Sequence, residues 1–250
     1  MKRDDLTSYL DSYLDIPSFK DYCPNGLQVE GSEEVRKIAL GVTSSVELIR
    51  QAIAIGADTI LVHHGIIWRG VQPTYRGGYK QRVKLLLEGD INLYGIHLPL
   101  DAHPEVGNNA TLARQLGLRE VEPFGTSEGK CIGVEGRVPG ITIAELEGRL
   151  RTQLGRDPLV MGSGPEKIQR IGIITGGAQG ELSQAIAAGL DVYITGEASE
   201  MNYHQAQEEG IHFIAAGHHA TERGGVQSLG QHLQERFNVQ TEFIEIPNPI

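Results

Sequence analysis

Short apolar runs alternate with helical periodicity along this chain, and the alternation occurs twice. In the first half, KIALGVT (37–43), DTILVHHG (58–65) and INLYGIHL (91–98) are short and rich in branched residues, the pattern of strands buried on both faces. SSVELIRQAIAIG lies between the first two, with Ser44 or Ser45 placed to cap a helix and Gly56 to stop it. YKQRVKLLLEGD separates the second and third runs, and NNATLARQLGL follows. The order β-α-β-α-β-α predicts a parallel sheet covered on both faces, a three-layer α/β lobe.

The second half repeats the unit. RIGIITGGAQGELSQAIAAGLDVYITGEAS (170–199) aligns with KIALGVTSSVELIRQAIAIGADTILVHHG (37–65), with one residue of slip in the first turn. Asp191 falls on Asp58, Glu197 falls on His64, and IHFIAAGHH (211–219) takes the place of INLYGIH. The chain is therefore expected to form two similar α/β lobes, 1–125 and 126–250. A connecting segment, 119–168, reads as strand KCIGVEGRV, a proline-glycine turn, a helix capped by Thr142 and a short strand PLVMG. About 50 residues are too few for a core of their own, so this segment is expected to extend a sheet.

Polar residues of chemical interest gather just past the carboxyl ends of the expected strands, the edge where open α/β sheets bind ligands. His63 and His64 end the second strand and His97 ends the third. Adjacent histidines leaving a strand diverge, which suits one ligand for each of two neighbouring ions. His97 and Asp101 form H-x-x-x-D, and His218 and Glu222 form H-x-x-x-E. On a helix that spacing sets two side chains on one face, one turn apart. Together His63, His64, Asp101, His218 and Glu222 read as ligands for two divalent ions, and imidazoles with carboxylates suit Zn, Fe, Mn, Ni or Co. His97 has three readings: a ligand, a residue orienting Asp101, or a proton carrier. His219 is read as a supporting or substrate-facing residue, and His103, His204, His212 and His232 as ordinary structural histidines. TGGAQGE (175–181) is open between an anion cradle and a tight turn that leaves room for the metal site. PNGLQVEG (24–31) is turn chemistry, with Asn25 and Gln28 able to face the site.

Charge and composition narrow the partners. A net charge of -10 and a pI near 5.4 oppose a nucleic-acid surface. The basic cluster Arg76, Lys80, Arg82 and Lys84 is a solvated helix face, or a contact for a small phosphorylated substrate. The opening MKRDDLTSYLDSYLDI reads as an amphipathic helix rather than a signal peptide, and no run approaches the roughly 18 apolar residues of a membrane span. Cys23 and Cys131 form no C-x-x-C pair, which fits a reducing compartment. A cytoplasmic protein is expected.

PNGLQVEG, LVHHG, HLPLDAHPEVGNNA and GHHATERGG together resemble the Nif-three-like dinuclear-metal proteins, also called type 2 GTP cyclohydrolase I homologs, in the short bacterial YbgI-like form. The resemblance runs from the first helix to the closing IPNPI. It implies two lobes facing each other across a dinuclear metal cleft, with ions on His63, His64, Asp101, His218 and Glu222, the glutamate bridging. It also implies a toroidal homohexamer. The central domain inserted in longer members is missing here.

A dinuclear site without redox ligands points to a hydrolase, because two such ions acidify a water and polarise the bond it attacks. The type 2 GTP cyclohydrolase I reading has that water attack purine C8 of GTP, with His97 or Glu222 moving protons and the Arg76 cluster meeting the triphosphate. A phosphoesterase or amidohydrolase acting on another small molecule is the alternative enzyme. A metal-binding or interaction protein without turnover is the alternative from another class.

Overall fold

Three parallel strands, β2 (Lys37–Thr43), β3 (Thr59–His64) and β4 (Asn92–Gly95), sit where the first three apolar runs predicted them. They belong to a computed structural model that describes residues 1–71, 74–127 and 129–250. Ser45 caps α2 (Val46–Ala54) by accepting from the Leu48 N–H, and α3 (Gly77–Glu88) links β3 to β4. Ahead of these come α1 (Arg3–Tyr13), which buries Leu6 and Leu10, and β1 (Gly26–Val29). β1 lies inside the PNGLQVEG stretch that was read as a turn, and it pairs antiparallel with β4.

The chain forms two compact units, Met1–Leu100 with Gly225–Pro247, and Asp101–Gly224 with Asn248–Ile250. Two of the three crossings lie inside α4 (Leu98–Ala102) and α10 (Arg223–Phe237), and the third falls between Pro247 and Asn248. This division differs from the expected split after residue 125 because residues 119–127 pair into the sheet of the second unit, while the last strand, β11 (Gln240–Phe243), returns to pair parallel with β2. The first sheet therefore runs β1-β4-β3-β2-β11. Its core packs Ile60, Val62 and Leu93 against Leu48, Ile49 and Leu86 from the helices.

In the second unit the parallel set is β8 (Ile168–Ile173), β9 (Val192–Thr195) and β10 (His212–Ala215), connected through α7 (Leu182–Ala187) and α8 (Glu200–Glu209). The segment before it carries α5 (Asn108–Leu116), β5 (Arg119–Ser127), β6 (Lys130–Ile141), α6 (Ile143–Leu154) and β7 (Leu159–Gly162). All three of its strands join the sheet, in the order β5-β6-β8-β9-β10-β7, so the segment extends a sheet as expected. β5 had no sequence prediction. The proline-glycine turn is instead a break in register within β6, where Gly140 takes a φ of +77°. Thr142 caps α6 in a capping box with Glu145. α9 (His218–Thr221) follows β10.

The repeat extends to individual hydrogen bonds. Asp58 Oδ2 accepts from the N–H groups of Arg36 and Lys37, and Asp191 Oδ2 accepts from those of Gln169 and Arg170. Each aspartate starts the second parallel strand of its unit and fastens it to the first. The Lys37 ammonium donates to Ile55 O and the Arg170 guanidinium to Ala188 O, closing the preceding helix in both units. No described helix is long and apolar enough to cross a membrane.

Candidate metal centre

In the first unit three imidazoles meet at the carboxyl end of the sheet. β3 delivers His63 fully buried and His64 half-buried, and His97 follows β4. A ligating atom from each lies within 4.8 Å of the others. The ring centroids of His63 and His64 are 4.7 Å apart, and those of His63 and His97 are 5.0 Å apart. His63 Nδ1 donates to Ile96 O at 2.9 Å. A carbonyl only accepts, so this bond fixes the tautomer and leaves the Nε2 lone pair for a ligand. His64 Nδ1 lies 3.1 Å from Thr43 Oγ1 on the neighbouring strand.

His97 is held by Asp21 and by Asn25, of which only Asn25 lies in the stretch 24–31 expected to be turn chemistry. Its Nδ1 lies 2.7 Å from Asp21 Oδ1, its backbone N–H donates to Asn25 Oδ1, and the Leu98 N–H donates to Asp21 Oδ2. Burial pushes the Asp21 carboxyl up, but the hydrogen bond and charge of His97, with Asn25 and the Leu98 N–H, outweigh it and hold it below the usual range. Gln28 Oε1 accepts from the Ile66 N–H at 2.8 Å, fastening the segment after His64. Any Cβ at Gly65 would fall 2.2 Å from that amide, which explains the glycine. Asn25 and Gln28 thus position the histidines.

Carboxylates dominate the second unit. Asp101 is buried, and its Oδ1 accepts from Asn108 Nδ2 at 2.9 Å and from the Thr175 hydroxyl at 3.3 Å. Asn109 donates to Asp101 O and Ile132 O and accepts from the Thr175 N–H, so the two asparagines opening α5 lock the aspartate to the end of β8. Glu222 is also buried and offers an oxygen within 4.8 Å of one from Asp101. Four residues earlier, His218 reaches Glu222 Oε1 through Nε2 at 3.2 Å, as the H-x-x-x-E spacing predicts. His218 Nδ1 lies 2.6 Å from Glu197 Oε1. Burial pulls the His218 imidazole down, but Glu222 and then Glu197 push it up to about 9.

TGGAQGE is a tight turn. Gly176 has a φ of +71°, and a Cβ there would lie 2.2 Å from Glu222 Oε1. This glycine makes room for the carboxylate. Asp21 and Glu197 were not singled out as site residues by sequence; the only signal was the alignment of Glu197 with His64. His219 belongs to none of the candidate ligand clusters among the described residues. The remaining histidines have structural contacts: His103 Nδ1 accepts from the N–H groups of Glu105 and Val106, His204 faces Glu200, His212 bonds Pro165 O, and His232 stacks on Tyr13.

An α/β fold built on a repeated parallel core, with imidazoles and carboxylates at its strand ends, defines a class of candidate metal-binding proteins. The family model described as Duf34/NIF3 (NGG1p interacting factor 3) matches residues 1–249, and the chain belongs to this family. A Pseudomonas aeruginosa protein named "GTP cyclohydrolase 1 type 2 homolog" is 50% identical over 245 residues, covering 98% of this chain and 97% of its own. An Escherichia coli K12 protein of the same name is 48% identical over the whole of both chains. Among solved structures, protein ybgI, titled as of unknown function, is 47% identical with a TM-score of 0.94, covering all of both chains. A Thermus thermophilus protein is 37% identical with a TM-score of 0.93, again over both complete chains.

Proposed function

We propose that the protein is a metal-dependent hydrolase of small molecules that holds two divalent ions on His63, His64, Asp101, His218 and Glu222, with GTP the first substrate to test. The observation that carries this reading is the fixing of the imidazoles through Nδ1. His63 is tied to Ile96 O, and His97 and His218 each have a carboxylate behind the ring. Carbonyls and carboxylates behind a ring are what orient histidines that ligate through Nε2. The donor set of neutral imidazoles and carboxylates fits Zn, Fe, Mn, Ni or Co. Bound ions would supply an acidified water and a Lewis acid.

The chain's own residues supply the rest. Asp101 is held by Asn108 and Thr175, and Glu222 by the space that Gly176 leaves. His97, backed by Asp21, and Glu222 are the proton carriers in this reading. His218 would give up its proton as an ion binds. The names of the P. aeruginosa and E. coli relatives support GTP as the first substrate. A homohexamer belongs to the same proposal, supported by exposed Leu159, Met201 and Tyr203, surface of the kind that subunits bury; a sedimentation mass of one chain would remove it.

Elemental analysis of protein purified without added metal, then a GTP turnover assay on metal-loaded protein, tests the reading. Two ions per chain, lost in Glu222→Ala and Asp101→Ala, with GTP consumed, support it in full. Two ions with GTP untouched remove GTP and leave other small molecules to be assayed. A folded chain that takes up no metal on reloading overturns it.

A further inference from the structure

Beside the histidine trio the first unit has a second feature, a cavity of about 330 Å³ lined by Ile66, Trp68, Val71, Arg76, Tyr79 and Arg82. Its volume lies at the lower end of small-molecule pockets. Trp68 forms the wall shared with the histidines: its ring centroid is 5.8 Å from that of His64 and 5.4 Å from that of His97. The indole N–H donates to Gly65 O at 3.3 Å.

Arg82 Nε is buried with no hydrogen-bond partner. The guanidinium reaches Ser44 O only at 3.4 Å, and the fully buried Ser44 Oγ also lacks a partner. Leaving such groups unsatisfied is costly, and an oxyanion satisfies a guanidinium best. Among the described residues no carboxylate pairs with Arg76 or Arg82, although acids outnumber bases in the chain by 32 to 22. Two unneutralised guanidiniums therefore share a small cavity with an indole and a phenol. Such rings take a flat aromatic group on their faces.

We propose that this pocket binds a planar-ring phosphate ester of nucleoside monophosphate size, with the phosphate on Arg82 and Arg76 and the ring against Trp68 and Tyr79. The assignment of that ligand as a substrate, its far end directed toward His64 and His97, rests on the hydrolase reading. The binding itself needs neither metal nor turnover.

Trp68 is the only tryptophan of the chain, so its emission reports the pocket directly. Chelator-treated protein, excited beyond nucleotide absorption, is titrated with AMP and GMP, and with adenosine, guanosine and inorganic phosphate. The expected result is a saturable change with a monophosphate, at least about tenfold weaker with the matching nucleoside and in Arg82→Gln. Arg76→Gln, at an exposed position, weakens binding in the same direction and keeps the test valid should the Arg82 variant fold poorly. No saturable change with either monophosphate, equal binding of nucleoside and monophosphate, or full binding by both variants overturns the proposal. Loss of binding with metal content intact would overturn the pocket alone. Absence of metal with nucleotide binding intact would overturn the hydrolase reading alone.

Discussion

The two units build the same scaffold and place different chemistry on it. Each has three parallel strands with an antiparallel strand beside the third, β1 in the first unit and β7 in the second. Each ties its second strand to its first through one aspartate, Asp58 or Asp191. At the ends of the strands they part: the first unit offers His63, His64 and His97, and the second offers Asp101, Glu197, His218 and Glu222. A repeated fold thus fixes where side chains emerge, while the residue type at each strand end remains free to change. Imidazoles and carboxylates are both donors that first-row divalent ions favour.

The comparison can be tested most severely at the carboxylates behind the rings. Asp21 stands behind His97 as Glu197 stands behind His218. Glu197→Gln, behind the ligand His218, should weaken metal affinity by about 10- to 100-fold, whereas Asp21→Asn, behind the proton carrier His97, should leave metal affinity unchanged and lower turnover. Chelator competition reads the first effect, and an equal loss of affinity in Asp21→Asn would add His97 to the ligands.

The scaffold itself is tested at Asp58 and Asp191. Alanine at either position strips two backbone N–H groups of a charged acceptor, and about 2 kcal/mol should be lost in each case. Urea unfolding measures both, and a large effect in one unit alone would break the equivalence.

A third test concerns protonation. In chelated protein the His218 pKa is raised from 6.5 to about 9. Its contribution to stability is therefore complete below about 6.5 and is lost as the pH rises through about 9. The thermal midpoint of chelated protein should fall across this window, and His218→Gln should flatten the fall. An unchanged slope in that variant would mean that another group titrates. The smallest effect is expected at Ser45, which caps α2, where the aligned residue in the second unit is Ala178. Ser45→Ala should cost about 1 kcal/mol, whereas Ala178→Ser should change little, since a 3-10 turn, Gln179–Glu181, precedes α7.

Much of this was legible in the sequence because it is local. Strands β2, β3, β8, β9 and β10 follow from apolar runs, helices α2 and α6 from Ser45 and Thr142, and the His218–Glu222 contact from a spacing of four. β1 and β11 escaped because they are short and their partners lie far away in sequence, and β5 escaped because its first five residues are exposed and carry no alternation. Asp21 is 76 residues from His97. No spacing rule connects them.

By itself the sequence determined the alternation of strand and helix, its duplication, and the gathering of imidazoles and carboxylates at strand ends, because side-chain periodicity and helical spacing are properties of neighbouring residues. The tertiary structure alone decided that β11 closes the first sheet, that β1 and β7 flank the parallel strands in the opposite sense, and that Asp21 and Glu197 stand behind the histidines. Those outcomes depend on which distant backbones exchange hydrogen bonds and on which buried polar atoms find partners, and only packing the whole chain settles either.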